Sequence, residues 1–136
     1  MQQTKHLNSL RLLSNQWGVA YMTGKFQVQF LEDAAEFLDN LDEKAREKIY
    51  YNIQKARFSN DNELFKKLKG EIWEFRTLFN KKHYRLFAFW DKTGKDETVV
   101  ISTHGIIKKT DKTPPGEIEK AENLRKLYFE QKSQAT

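Results

Sequence analysis

The stretch Ile72 to Trp90, IWEFRTLFNKKHYRLFAFW, decides the class of the fold. Both of its halves are rich in aromatic and β-branched residues, and both alternate. In the first half Trp73, Phe75, Thr77 and Phe79 share one face while Glu74 and Arg76 share the other; in the second, Arg85 alternates against Tyr84 and Leu86. That period of two belongs to strands, whose successive side chains leave opposite faces. The polar Asn80 to His83 is then a turn, and a connection so short joins antiparallel neighbours. After a second polar segment, Asp91 to Asp96, the pattern returns in Thr98 to His104. Ile72–Phe79, Tyr84–Trp90 and Thr98–His104 are expected to form an antiparallel meander.

Upstream, the period changes. Asp42 is placed to cap a helix reaching about Phe58, with Ala45, Ile49, Ile53 and Ala56 in one stripe. A shorter helix, Glu32 to Asn40, precedes it with an acidic first turn, and the two form a helical hairpin. Before them Lys25 to Phe30 alternates as a half-buried strand. Ser59 to Asn62 is a polar break, and Glu63 to Leu68 is a lysine-rich stretch leading to Gly70. Downstream, Thr113-Pro114-Pro115-Gly116-Glu117 starts a last helix whose apolar face is Ile118, Ala121, Leu124, Leu127 and Tyr128. The expected architecture is α+β in a single domain: N-terminal strand, helical hairpin, antiparallel sheet, C-terminal helix.

A chain of 136 residues holds one such domain, and 10 Phe, 5 Tyr and 3 Trp are enough apolar mass to build its core. The domain is expected over residues 25–130, with a tail at 131–136. Residues 1–24 have no clear period and read as an extension, either dispensable, with Met22 as an alternative start, or packed on the domain through Trp17 and Tyr21. The longest apolar run, Leu86 to Trp90, is far short of the roughly 20 residues of a membrane-spanning helix. With no cysteine there is no disulfide framework, thiolate zinc site or thiol nucleophile, and a cytoplasmic location without membrane association is expected.

The net charge of +5 is concentrated in the middle of the chain. Residues 64–90 carry Lys66, Lys67, Lys69, Arg76, Lys81, Lys82 and Arg85 against Glu71 and Glu74 alone. Such a field attracts polyanions, nucleic acid first among them, although a basic balance equally serves solubility. Other chemistries find little support. The six glycines are too scattered for a phosphate loop, and His6, His83 and His104 have no metal-ligand spacing. The serines stand in no nucleophile-elbow context. No metal and no cofactor is expected.

A sheet that bears cations remains. Arg76 and Arg85, on neighbouring strands, can meet on one surface and bind an RNA phosphate, stabilising charge on a pentacoordinate phosphorus. Because the RNA 2'-hydroxyl is itself the nucleophile, such a protein has only to position it, move protons and stabilise charge. Glu74, Tyr84 and His104 are the candidates for proton transfer. Each has a plainer alternative: Arg76 in a cross-strand ion pair with Glu71 or Glu74, His104 capping a strand end before Gly105, and Lys108 and Lys109 as solvated loop charges.

Five motifs in order, LFKKLKG at Leu64 to Gly70, IWEFR at Ile72 to Arg76, YRLF at Tyr84 to Phe87, HGIIKKT at His104 to Thr110, and Thr113-Pro114 with Glu117 to Ala121, resemble the phage-derived HigB-like branch of the RelE/ParE toxin superfamily. The resemblance covers about residues 25–130. It implies the toxin of a type II toxin-antitoxin pair, which enters the ribosomal A site, cuts mRNA without metal, and is silenced by a cognate antitoxin, often one with a helix-turn-helix domain. It places the transition-state arginine on Arg85, a matching arginine on Arg76, and the basic pair after the last strand on Lys108 and Lys109. Lys66, Lys67, Lys69, Lys81 and Lys82 would add to RNA binding. The RelE branch carries two strand lysines that align near Ile72 and Glu74, and neither is lysine here. Proton transfer would then fall to Glu74, Tyr84 or His104. A ParE-like inhibitor of DNA gyrase, and a basic binding module without catalysis, are the competing expectations.

Overall fold

The computed structural model describes residues 11–12, 25–94 and 98–135. Among the described residues nine elements follow one another: β1 (Arg11–Leu12), β2 (Gln27–Phe30), α1 (Glu32–Asp39), α2 (Glu43–Phe58), β3 (Phe65–Lys69), β4 (Ile72–Phe79), β5 (Lys82–Asp91), β6 (Val99–Lys108) and α3 (Pro115–Ala135). The sheet runs β1-β2-β6-β5-β4-β3, with α1 and α2 on one face and α3 on the other. The fold is α+β, as the alternating strands and striped helices predict. Trp17, Tyr21 and Met22 lie outside the described residues.

The meander β4-β5-β6 is antiparallel throughout. Its first turn is two residues long, Asn80 and Lys81, both at positive φ (52° and 63°), the backbone that a tight hairpin between twisted strands requires. The register follows from it: Phe79 faces Lys82, Thr77 faces Tyr84, and Arg76 faces Arg85.

Two features differ from the sequence expectation. The sheet is mixed, because β2 lies parallel to β6, Val28 beside Val100 and Phe30 beside Ser102. The helical hairpin returns the chain across the sheet, so that β3 starts at the far edge and β2 keeps the direction of β6. The lysine-rich stretch before Gly70 is also a strand. Phe65 stacks on Phe75 (centroids 4.3 Å apart) and on Trp73 (4.8 Å), and the open edge of β4 supplies the hydrogen bonds. Gly70, at φ 57°, makes the turn into β4. At the other end of the chain α3 runs to Ala135, with Gln131 buried, so the expected tail continues the helix.

One core lies between the sheet and the helical hairpin, where Val28, Phe30, Leu38, Ile49, Ile53, Tyr84, Leu86 and Val100 are buried. Asp42 caps α2 as its position predicts, Oδ1 accepting from the Ala45 amide at 2.9 Å. Gly105 of β6 faces α1 so closely that a Cβ there would run into the Phe37 ring. The second core lies under α3, where Ala121 and Tyr128 pack on Leu31, Ile72, Phe87, Phe89 and Ile101.

A bulge sets what β6 shows to α3. Phe87 pairs with His104 but Ala88 with Ser102, leaving Thr103 as the extra residue. Ile101 and His104, an odd number of residues apart, therefore reach the same face. The Phe87 carbonyl at the bulge accepts from the Ser102 hydroxyl at 3.1 Å and the Thr103 hydroxyl at 3.4 Å.

Candidate functional site

The alternation of β4 and β5 sends Glu74 and Arg76, and His83, Arg85 and Phe87, to the face that carries α3. Phe87 lies under the helix. Arg76, His83 and Arg85 lie beyond its N-terminus, where the segment 109–114 crosses from β6 into α3. Lys108, opposite His83, completes the row.

Arg76 and Arg85 converge on one carboxylate. Asp111 Oδ1 accepts from Arg76 Nη2 at 2.7 Å and from Arg85 Nη2 in a shorter contact, and lies 3.9 Å from His83 Nδ1. On the inner side Glu74 lies 3.6 Å from Arg76 Nε and 3.5 Å from Arg85 Nε, ion-pair distances too long for hydrogen bonds. Both Nε atoms are buried and make no hydrogen bond. Arg85 also donates to the Tyr84 carbonyl at 3.2 Å. Lys108 Nζ ties the crossing segment down, donating to the Asp111 carbonyl at 2.9 Å and to Thr113 Oγ1 at 3.2 Å, and the Thr113 hydroxyl donates to Glu74 at 3.1 Å.

Burial grades the site from inside out. The Glu74 and Arg85 side chains are 3% and 2% exposed, Arg76 14%, and Asp111 65%. Burial lowers the Arg85 pKa, with Glu74 and Asp111 opposing the shift and Arg76 reinforcing it. Lys108 is lowered by burial and by the nearby Arg85 charge. The Asp111 carboxyl is held below the usual carboxylate range by its hydrogen bond from Arg76 and by both arginine charges. A shallow cleft of about 230 Å³, lined by Glu63, Arg76, Thr77, Leu78, His83, Arg85 and Asp111, opens beside the cluster. Two guanidinium groups aimed at one oxygen, with excess positive charge around them, form an anion-binding arrangement.

The residues singled out in the sequence divide accordingly. Arg76, Arg85, Glu74 and Lys108 come together. Tyr84 does not: it is buried in the core on the opposite face, and burial, with the Asp42 charge, raises its pKa. His104 is on the arginine face but not at a strand end. It lies within β6, stacked on Phe87 (centroids 4.9 Å apart), with Nε2 3.0 Å from Glu117 and Nδ1 3.0 Å from Thr103 Oγ1. Burial lowers its pKa, against the opposing effect of Glu117. Lys66 shares the Glu74 face, whereas Lys67 pairs with Trp73 on the other. Lys66, Lys67 and Lys69 are exposed on an edge strand, where lysines also discourage pairing with a second chain. Lys81 and Lys82 are exposed at the hairpin tip, and Lys109 is exposed just past β6.

Sequence reasoning passed over His83, Asp111 and the bonding role of Thr113. The signal for Asp111 is one acid inside the basic run Lys108 to Lys112. Among the described residues, no group of three His, Cys, Asp or Glu side chains is placed to hold a metal ion, and no helix is long and apolar enough to cross a membrane.

A family model described as Phage derived protein Gp49-like (DUF891) matches residues 36–126, well over half of the chain. The matched span runs from within α1 to within α3 and contains every residue of the arginine cluster. No curated protein and no solved structure matches the chain significantly.

Proposed function

The chain belongs to the Gp49-like family of phage-derived proteins, a family related to RelE/HigB-like toxins, and from that premise we propose that it is the toxin of a type II toxin-antitoxin pair and cuts mRNA at the ribosome. The observation that carries this reading is the direct cross-strand pairing of Arg76 with Arg85 on the sheet face beyond the N-terminus of α3. In the reaction the 2'-oxygen forms a bond to phosphorus, the bond from phosphorus to the 5'-oxygen breaks, one proton leaves the 2'-hydroxyl, and one joins the departing 5'-oxygen. Arg85 and Arg76 stabilise the charge that builds on the phosphoryl oxygens. Glu74 holds both guanidiniums from behind.

For proton transfer the geometry favours His83 over His104 and Tyr84. His83 lines the arginine cleft and is partly exposed, while His104 is engaged at both ring nitrogens and Tyr84 is on the far face. A cognate antitoxin, of helix-turn-helix type by the sequence resemblance, would silence the toxin by covering this basic face.

The test is induced expression of the chain beside its Arg85→Ala and Arg85→Lys variants, following growth and mapping mRNA 5' ends. New ends within translated messages that both variants lack support the ribonuclease, since lysine keeps the charge and loses the planar fork. Growth arrest with intact mRNA and damaged DNA would replace it with the gyrase-inhibitor reading.

A further inference from the structure

Arg85 is 2% exposed, and a phosphate cannot reach it in the conformation described. The group that covers it on the solvent side is Asp111, itself 65% exposed, whose single oxygen Oδ1 receives bonds from both Arg76 and Arg85. We propose that Asp111 is an internal stand-in for the substrate phosphate: its carboxylate occupies the arginine pair in the resting protein, and a phosphodiester must displace it to bind. The inference rests on reading the arginine pair as a phosphate site, and adds the residue that sets its affinity.

Three observations favour exchange over a permanent structural pair. The Asp111 side chain is largely in water, so swinging outward requires no desolvation and breaks no apolar packing. The backbone of the segment is anchored separately, by Lys108 Nζ on the Asp111 carbonyl and on Thr113, so the side chain can leave while the segment stays in place. The two arginines share one oxygen of Asp111, and a phosphate has more oxygens to offer their outward-facing Nη groups than that one. A phosphodiester brings a charge like that of the carboxylate it replaces, so the exchange preserves the charge balance against Glu74, Lys108 and the two arginines. Because only the displaced fraction of molecules can bind, the resident carboxylate weakens apparent affinity by that fraction. A weak phosphate contact at each site would leave productive binding to a partner that engages the surrounding lysines as well.

The experiment is calorimetric titration of the full chain with inorganic pyrophosphate at low salt, beside Asp111→Ala, Asp111→Asn and the double variant Asp111→Ala/Arg85→Ala. Removing two charge-assisted hydrogen bonds that compete with the ligand should tighten pyrophosphate binding about tenfold or more in Asp111→Ala. The gain should be smaller in Asp111→Asn, whose amide oxygen still accepts, and should vanish in the double variant. Unchanged or weaker binding in both single variants would overturn the proposal, as would a gain that survives loss of Arg85. Tighter pyrophosphate binding without cleavage of translated mRNA by any variant would uphold Asp111 as the stand-in, and would count against the ribonuclease reading alone.

Discussion

Two carboxylates on the same sheet face meet cations in opposite ways. Under the C-terminal half of α3, Asp91 is buried and accepts from Tyr128 OH at 2.6 Å, Lys132 Nζ at 2.6 Å, Thr93 Oγ1 at 2.6 Å and the Thr93 amide at 2.9 Å. Its pKa is pushed down to about 2, those hydrogen bonds outweighing the opposing effect of burial. Beyond the N-terminus of α3, Asp111 is exposed and meets its two arginines through the single oxygen Oδ1. The first arrangement has its acceptor capacity met from three side chains and pins the helix to β5. The second leaves its carboxylate in water, where on the proposed reading it can be exchanged for an external anion. Charge alone does not separate the two; the burial of the carboxylate and the number of donors it holds do.

The sharpest way to break this contrast is Arg85→Ala. On the proposed ribonuclease reading, in which Arg85 stabilises the phosphoryl charge, its loss is expected to lower mRNA cleavage about a hundredfold or more, read from mapped 5' ends. The variant should remain folded, as judged by its melting transition, because Arg76 and Thr113 still partner Glu74. A variant that unfolds would make Arg85 as structural as Asp91.

At the other end, Asp91→Asn removes the charged acceptor from a buried cluster and should cost about 3 kcal/mol in denaturant unfolding while leaving cleavage intact. The same lock predicts an acid transition. The folded-state pKa of Asp91 is depressed to about 2 from an ordinary 3.8, so its contribution is complete above about pH 4 and is lost as pH falls toward 2. That contribution is about 2 kcal/mol, and the acid limb of a stability-pH profile should flatten in Asp91→Asn. Tyr128 is shifted the other way, upward, by burial and its bond to Asp91, so its contribution holds below about pH 10 and declines above it.

Gly105→Ala acts on the opposite face and serves as a reference. Its new methyl must push the Phe37 ring aside, at about 1–3 kcal/mol, with the melting temperature lowered and neither charged cluster altered. The smallest effect is expected from Thr113→Ala, which takes one hydrogen bond from Glu74 and one acceptor from Lys108. It should cost about 1 kcal/mol of stability, and a loss as large as that of Asp91→Asn would place both ends of the face in one structural class.

Much of this was legible along the chain. Alternation in Ile72–Phe79 and Tyr84–Trp90 put Arg85 on the face opposite Tyr84 and Leu86, although Tyr84 was still a proton-transfer candidate, and a tight turn between the strands brings Arg76 and Arg85 within reach of each other. The stripe of α2 and the cap at Asp42 were equally plain. The strand Phe65–Lys69 was not, since three of its five residues are lysine and its pairing depends on an edge 72–79 that only the folded sheet presents. His104 was expected at a strand end, because neither the bulge at Thr103 nor the continuation to Lys108 has a local signature.

Local patterns act over neighbouring residues, and what they determined is correspondingly local: strands from the period of two, helices from stripes and caps, and a basic middle stretch whose arginines share a face. The parallel seat of β2 beside β6, the arrival of Asp111 on the arginine pair, and the meeting of Asp91 with Tyr128 and Lys132 join residues 26 to 72 positions apart. Those pairings depend on which sheet edge remains open and where α3 docks, and both are outcomes of burying two apolar faces at once. Only the tertiary structure could decide which carboxylate became a lock and which stayed free to be exchanged.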